Sequence, residues 1–337
     1  MRYKFENVSR RTKICGIIVV VGFLAFAILM GIYHRLAKAL DDQQVAERWN
    51  KEGNCAQISC YFPQNTGITP DRIQAFQHSL DQYLIQSSIY SDSANPDARL
   101  WIAAYSSMGT LSITTEQTSH ITQAIGVGGD FFLFHPVKLI EGAYFSGQDV
   151  MQDYCIVDRE TAWKVFGSTD VVGQYLQFNN VPHKIVGVYE RPAESIYEKA
   201  GLSQPTIFVS YDTLTKYGGT TEIENYEIVM PNPVRSFAFL YITEQLGDKE
   251  GRIELLENSS RFDKLRILRL LADTDTRTMR TKAIVYPYWE NVARGYENNM
   301  MTLLLFAIII VTVPIVLLGI CGIMAWRRKN KKRGVKR

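Results

Sequence analysis

The chemically capable side chains of this sequence are present in ordinary numbers, but not at the spacings that chemistry requires. Its five histidines, His34, His78, His120, His135 and His183, stand singly, so no H-E-x-x-H places two imidazoles on one helix face for zinc. No C-x-x-C and no G-x-S-x-G occurs, and no P-loop offers backbone amides to a nucleotide phosphate. Gly126-Val127-Gly128-Gly129 is the densest glycine cluster; it lacks the G-x-G-x-x-G spacing and reads as a turn. Cys55 and Cys60, five apart, would face opposite sides of one continuous strand, so they bridge only through a turn or stay as buried free thiols. The expectation is a chain with no catalytic residue, metal or cofactor of its own. One spacing does stand out. In Tyr286-Pro287-Tyr288-Trp289-Glu290-Asn291-Val292-Ala293-Arg294, Glu290 and Arg294 lie four apart and can pair on a helix turn. Tyr288 and Trp289 beside them either anchor at a membrane interface or belong to a contact that couples the outer region to the spans.

The elements that would position this segment begin with two apolar runs. Ile14 to Tyr33 carries no charge over 20 residues, about 30 Å of helix, and Met300 to Trp326 is a second uncharged run of 27. A signal peptide is the rival reading of the first run, with Ala37-Lys38-Ala39 as its cleavage box, but signal h-regions are shorter, about 7 to 15 residues. The spans hold no acid, base or histidine on which a proton relay could run. Pro314 removes a backbone hydrogen bond inside the second, and Ala27 and Gly31 form a small-xxx-small pair in the first.

The net charge of +3 conceals a strong asymmetry. Residues 1–13 hold five Lys/Arg and one Glu, residues 327–337 hold eight Lys/Arg and no acid, and residues 41–299 hold 22 bases against 33 acids. The positive-inside rule then predicts a plasma-membrane protein with both termini cytoplasmic and residues 41–299 extracellular. The basic C-terminal cluster could be a nucleic-acid patch, but beside a span it reads as a lipid-headgroup contact, so lipid membrane is expected as a partner and nucleic acid is not.

Within the outer region Asn54 to Phe62 alternates as a strand. Thr69-Pro70-Asp71 supplies a helix start, with Ile73, Phe76, Leu80, Tyr83 and Leu84 on one apolar face, and Leu100 to Tyr105 is the next strand. From Gly126 to Tyr211 the texture is β-rich, with a hairpin turning at Asn179-Asn180 and a short helix, Glu160 to Phe166, ended by Gly167. Strands at Tyr226 to Met230, Arg252 to Glu257 and Ala283 to Tyr286 then alternate with helices in 234–245 and 262–271. The fold class expected is α+β and membrane-anchored. Its divisions are a tail (1–13), a span (14–33), a stalk extending the first helix (34–50), an α/β subdomain in two halves (51–125 and 221–299) around an inserted β-rich subdomain (126–220), a span (300–326) and a basic tail (327–337).

Residues 126–189, GVGGDFFLFHPVKLIEGAYFSGQDVMQDYCIVDRETAWKVFGSTDVVGQYLQFNNVPHKIVGVY, resemble the periplasmic core domain of MacB/FtsX-type ABC transporter permeases. The matching positions are Gly142 with Phe145, the strand Tyr154 to Val157, Ala162, Phe166-Gly167, Val172-Gly173 and Ile185-Val186-Gly187-Val188. Tyr226, Pro231 and Pro233 in Asn225 to Pro233, and the Tyr286 to Gly295 segment, are similar to those of clostridial-type members. Physically these are turn glycines and core side chains. The resemblance implies a porter-like α/β domain with a β-rich insertion. It also implies, as partners, a full-length ABC permease and a cytoplasmic ATPase subunit, with a peptide, antibiotic or cell-envelope ligand possible. Members usually have three spans after the outer domain and this sequence has one, so the ATPase-docking loop is expected from a partner. The function expected is a non-catalytic permease-like subunit serving export or mechanotransmission; the alternative is a membrane-anchored binding or sensing module without an ATPase.

Overall fold

The computed structural model describes residues 10–91, 95, 98–114, 119–147, 149–220, 222–247, 252–271 and 284–334. Its elements are α1 (Arg10–Ala37), α2 (Val45–Trp49), β1 (Cys55–Tyr61), α3 (Pro70–Gln86), β2 (Ile102–Thr114), β3 (Ser119–Gly129), α4 (Phe131–Phe134), β4 (Lys138–Gly142), β5 (Tyr154–Asp158), α5 (Arg159–Phe166), β6 (Tyr175–Phe178), β7 (Val181–Glu190), α6 (Ser195–Ala200), β8 (Thr206–Ser210), α7 (Tyr211–Gly218), β9 (Asn225–Pro231), α8 (Phe237–Leu246), β10 (Glu254–Glu257), α9 (Lys264–Arg269) and α10 (Tyr288–Gly334). The chain divides into two bodies: Met1–Ala39, Phe262–Thr274 and Tyr296–Arg337 form one, and Leu40–Arg261 with Asp275–Gly295 form the other.

Among the described residues two helices are long and apolar enough to cross a membrane, Thr12–Ala37 and Tyr288–Arg327; the first body carries the former and the latter from Tyr296 onward. A Cβ on Gly22 would lie 3.0 Å from the Pro314 ring, so the two helices meet there, while nothing lies within 4 Å of a Cβ on Gly31. Tyr33, Ile267, Met300 and Leu304 pack together, and the Tyr33 hydroxyl donates to the Phe262 carbonyl at 2.8 Å.

The second body is built on one mixed ten-stranded sheet, ordered β10-β1-β9-β2-β3-β8-β5-β7-β4, with β6 bridging β2 and β7. Most pairs are antiparallel; β3 with β8 and β5 with β7 are parallel. Local chemistry sets several element ends. The Thr69 hydroxyl accepts from Arg72 N–H and Pro70 occupies the first helical position, where its missing N–H costs nothing. Asp158 caps α5, and Gly167 ends it in the left-handed conformation at φ +68°. Asn179 and Asn180, both at positive φ, turn the β6–β7 hairpin as their residue types predict.

Three expectations are revised. Gly126 to Gly129 is not a turn but the end of β3. A Cβ on Gly126 would sit 2.7 Å from that of Leu214, and one on Gly128 would enter the Tyr105 ring, so the glycines make room for side chains laid across the sheet. Position 126, the expected start of an inserted subdomain, falls inside that strand. Second, α1 stops at Ala37, and Val45 and Ala46 are buried in the outer core where a solvated stalk was expected. Third, residues 284–287 are not a strand; Ala283 lies outside the described residues, as do the tail residues 1–9 and 335–337.

On one face of the sheet α3 and α8 cover Ala56, Ile58, Cys60, Tyr226, Ile228 and Met230. Because side chains alternate along a strand, the intervening residues Gln57, Ser59, Tyr61 and Glu227 face the other way, and they are buried there too. All five cysteines are free, Cys55 and Cys60 lying on the same continuous strand.

Candidate functional site

The buried polar face of β1, β9 and β10 is where the outer body receives the first turns of α10. Register sets it out: Ser59 lies opposite Glu227 on β9, and Tyr61 lies opposite Glu254 on β10. The 3₁₀ turn Asp41–Gln43, Arg261, Tyr286 and the residues Trp289, Glu290 and Arg294 cover this face.

Glu290 is fully buried and its carboxylate accepts four hydrogen bonds. Arg261 grips it with both guanidinium nitrogens, Nη1 to Oε2 at 2.6 Å and Nη2 to Oε1 at 2.9 Å. Arg294 Nε donates at 2.6 Å, closing the four-residue pair anticipated from the spacing, and the Tyr61 hydroxyl donates at 3.0 Å. Arg294 reaches on through Nη2 to Glu254 at 2.8 Å, and Glu254 accepts from the Tyr286 hydroxyl. The Arg294 guanidinium also stacks on the Tyr286 ring, 3.8 Å from its centroid, and Tyr286 meets Tyr61 edge to face. Two cations and two anions thus share one enclosure. Burial drives the Glu290 carboxyl up, but Arg261 and Arg294 outweigh it and hold it down at about 2. For Arg294 burial works against the charge, and Glu290 and Glu254 more than restore it, raising its pKa above the ordinary arginine value.

A second buried cluster adjoins the first. His135 Nε2 meets Glu227, whose other oxygen accepts from Ser59 Oγ at 2.7 Å, and Asn258 Nδ2 donates to that same hydroxyl at 2.6 Å. Asp42 stands 3.9 Å from His135 Nδ1. Burial raises the Asp42 carboxyl to about 6, with His135 opposing and Glu227 adding to the rise. Trp289 lies over the His135 ring at 4.2 Å and edge-on to Phe131 at 5.5 Å. At 2% exposure it is a core side chain of the outer body, not a membrane-interface anchor, and its indole N–H has no hydrogen-bond partner among the described residues. Tyr288 is half-buried against the same core.

Chemically the arrangement is closed. The Glu290 oxygens are fully used by donors, and no group of three His, Cys, Asp or Glu among the described residues is placed to hold a metal. Arg261, Glu227 and His135 had no signal in the sequence, because their meeting depends on sheet register. The apolar-polar alternation of Gln57, Ser59 and Tyr61 was visible, but such a polar face ordinarily looks to water.

Residues 15–240 match the family described as MacB-like periplasmic core domain. The chain belongs to that family. Among curated members, a macrolide export ATP-binding/permease protein MacB of Chromobacterium violaceum is 36% identical over 66 residues, covering 19% of this chain and 10% of that protein. The MacB of Pasteurella multocida is 25% identical over 169 residues, covering 48% and 24%. The chain therefore spans a quarter or less of the length of these relatives. Of solved structures, the periplasmic region of MacB from Actinobacillus actinomycetemcomitans aligns with a TM-score of 0.42 at 13% identity, covering 66% of this chain and 93% of that one. The extracellular domain of the noncanonic ABC-type transporter YknZ from Gram-positive bacteria aligns at 0.39 and 13% identity, covering 59% and 99%.

The positions that carried the MacB-like resemblance do structural work away from the charge network. Gly142, at φ +84°, leaves room for the Val186 carbonyl, which a Cβ would approach to 2.1 Å. Gly173 turns the chain at φ +90°, and Gly187 lies close under the Ala143 carbonyl. Phe145 is buried beside Phe132, Phe166 packs on the core beneath α5, and Tyr226 is buried under α3. Pro231 closes β9 and Pro233 follows it in the loop to α8.

Proposed function

We propose that this chain is a non-catalytic permease-like subunit of an ABC-type membrane complex, in which the buried Arg261–Glu290–Arg294 network couples the outer domain to α10. The observation that carries this reading is the position of Glu290 in the first turn of a 47-residue helix whose later part is the second candidate span. A carboxylate held by the two-pronged Arg261 grip and by Arg294 from another direction resists both shear and rotation, because these directional bonds are lost within a small displacement. A push or twist on the helix is then delivered to β1 and β10 through Tyr61, Arg261 and Glu254. Membership in the MacB-like family and the charge asymmetry support an extracytoplasmic outer domain with cytoplasmic tails. The energy source in this reading is a partner ATPase, acting through a full-length permease.

The test is purification of the tagged chain from its native host in mild detergent. A permease and an ATPase should remain bound in fixed ratio, and ATP turnover of the assembly should fall when Arg261 is changed to Lys, which keeps the charge and removes the fork. Recovery of the chain without either partner would overturn the reading in favour of a stand-alone binding or sensing module.

A further inference from the structure

A cleft of ≈330 Å³ opens between the N-terminal half of α3 and β2, on the sheet face opposite the charge network. Trp101, Ala103 and Tyr105 line it from every second position of one chain segment, so the three side chains belong to the same face. Gln74 and Gln77 line it from α3, and Asp71 and Arg99 stand at its rim. Gly129 at the end of β3 and Gly147 line it as well. Gly128 lies directly opposite Tyr105 and lets its ring lie flat across the sheet, while Gly129, at φ +65°, accepts a hydrogen bond from Gly147 N–H at 3.2 Å.

We propose that this cleft binds a neutral pyranose unit of a glycan. Trp101 and Tyr105 put aromatic carbon in the cleft wall, apolar surface against which the C–H groups of a sugar ring pack, with the Trp101 indole N–H held by Asp81 Oδ1 at 2.7 Å. Glutamine amides both donate and accept, as sugar hydroxyls do, and the Asp71 carboxylate adds an acceptor. Ionic selection is weak, because Arg99 is already paired with Asp130 through both guanidinium nitrogens. An extended peptide is disfavoured by topology: β2 is hydrogen-bonded to β9 on one side and β3 on the other, leaving no free edge on which to add a strand. The volume is at the lower end of the ligand-site range, about 300 to 1,000 Å³, which suits one or two sugar rings. This site stands apart from the coupling network, so its loss and the loss of coupling are separable.

The experiment is titration of the full chain in detergent with N,N′-diacetylchitobiose, followed by tryptophan fluorescence. Saturable change in the millimolar range is expected, abolished by Trp101→Ala and weakened at least about threefold by Gln74→Ala, an exposed position whose change leaves the fold intact. Trp163→Phe, an exposed indole on α5, should titrate like the wild type. Absence of saturation up to about 50 mM would overturn the proposal. So would unaltered affinity in Gln74→Ala and Trp101→Ala together, or saturation by a short peptide where the disaccharide gives none.

Discussion

Replacing Glu290 with Gln is the sharpest test of the charge network. The change is nearly isosteric, but it leaves Arg261 at 1% and Arg294 at 8% side-chain exposure, with one fewer anion between them. Breaking a buried pair from one side costs about 3–5 kcal/mol, because the remaining charge is neither solvated nor neutralised. Titration leads to a similar size independently. A carboxyl at about 2 in the folded chain, against its ordinary 4.5, contributes roughly 3 kcal/mol at neutral pH. The folded value is depressed, so this stability is fully present above about pH 4.5 and is lost as pH falls towards 2. Thermal unfolding of the purified chain, followed by tryptophan fluorescence, should therefore show a drop of roughly 10 °C for Glu290→Gln at pH 7. The gap to wild type should narrow as the pH is lowered. Glu160→Gln is the matched control: Glu160 also meets two cations, Lys164 and Arg191, but at 45% exposure, and should change stability by less than about 1 kcal/mol. If Glu290→Gln costs no more than Glu160→Gln, or keeps the wild-type acid slope, the network does not anchor the start of α10.

Asp42→Asn probes the neighbouring cluster with the opposite sign. The folded Asp42 carboxyl is raised to about 6, so its ionised form is penalised as pH rises through that value; the variant should melt higher than wild type at pH 7.5 and alike at pH 4, and a lower melting temperature at pH 7.5 would refute this. Gly126→Ala should cost about 1–3 kcal/mol by forcing a methyl against Leu214, and in a double-mutant cycle with Leu214→Ala the combined loss in denaturant titration should be smaller than the sum of the two.

Features that depend on neighbours in sequence were legible in the sequence. The Thr69 cap, the Gly167 helix end, the Asn179–Asn180 turn and the Glu290–Arg294 spacing all express geometry settled within four residues. Features that depend on the sheet were not. Gly126 and Gly128 look like turn residues until Leu214 and Tyr105 are laid across them, and Trp289 looks like an interface anchor until His135 and Phe131 are placed around it. The polar face of β1 has the pattern of a solvent-facing strand, and only the arrival of residues 286–294 from the far end of the outer region buries it. The assignment to a family followed from turn glycines and core side chains, whereas the network depends on Arg261, Glu227 and His135, whose partners lie 29 to 218 residues away.

The place of β1 in the sheet also dictates a schedule. It emerges early, yet its two neighbours are β9 and β10, so its hydrogen bonds must wait until residues 225–257 have been made and delivered to the outer side. Until then a strand with an apolar face, Ala56, Ile58 and Cys60, has both edges open, and closing so long a loop is slow. A nascent chain halted before residue 225 would leave both edges of that strand open to pairing with another unfinished copy, and one halted before residue 254 would still leave one.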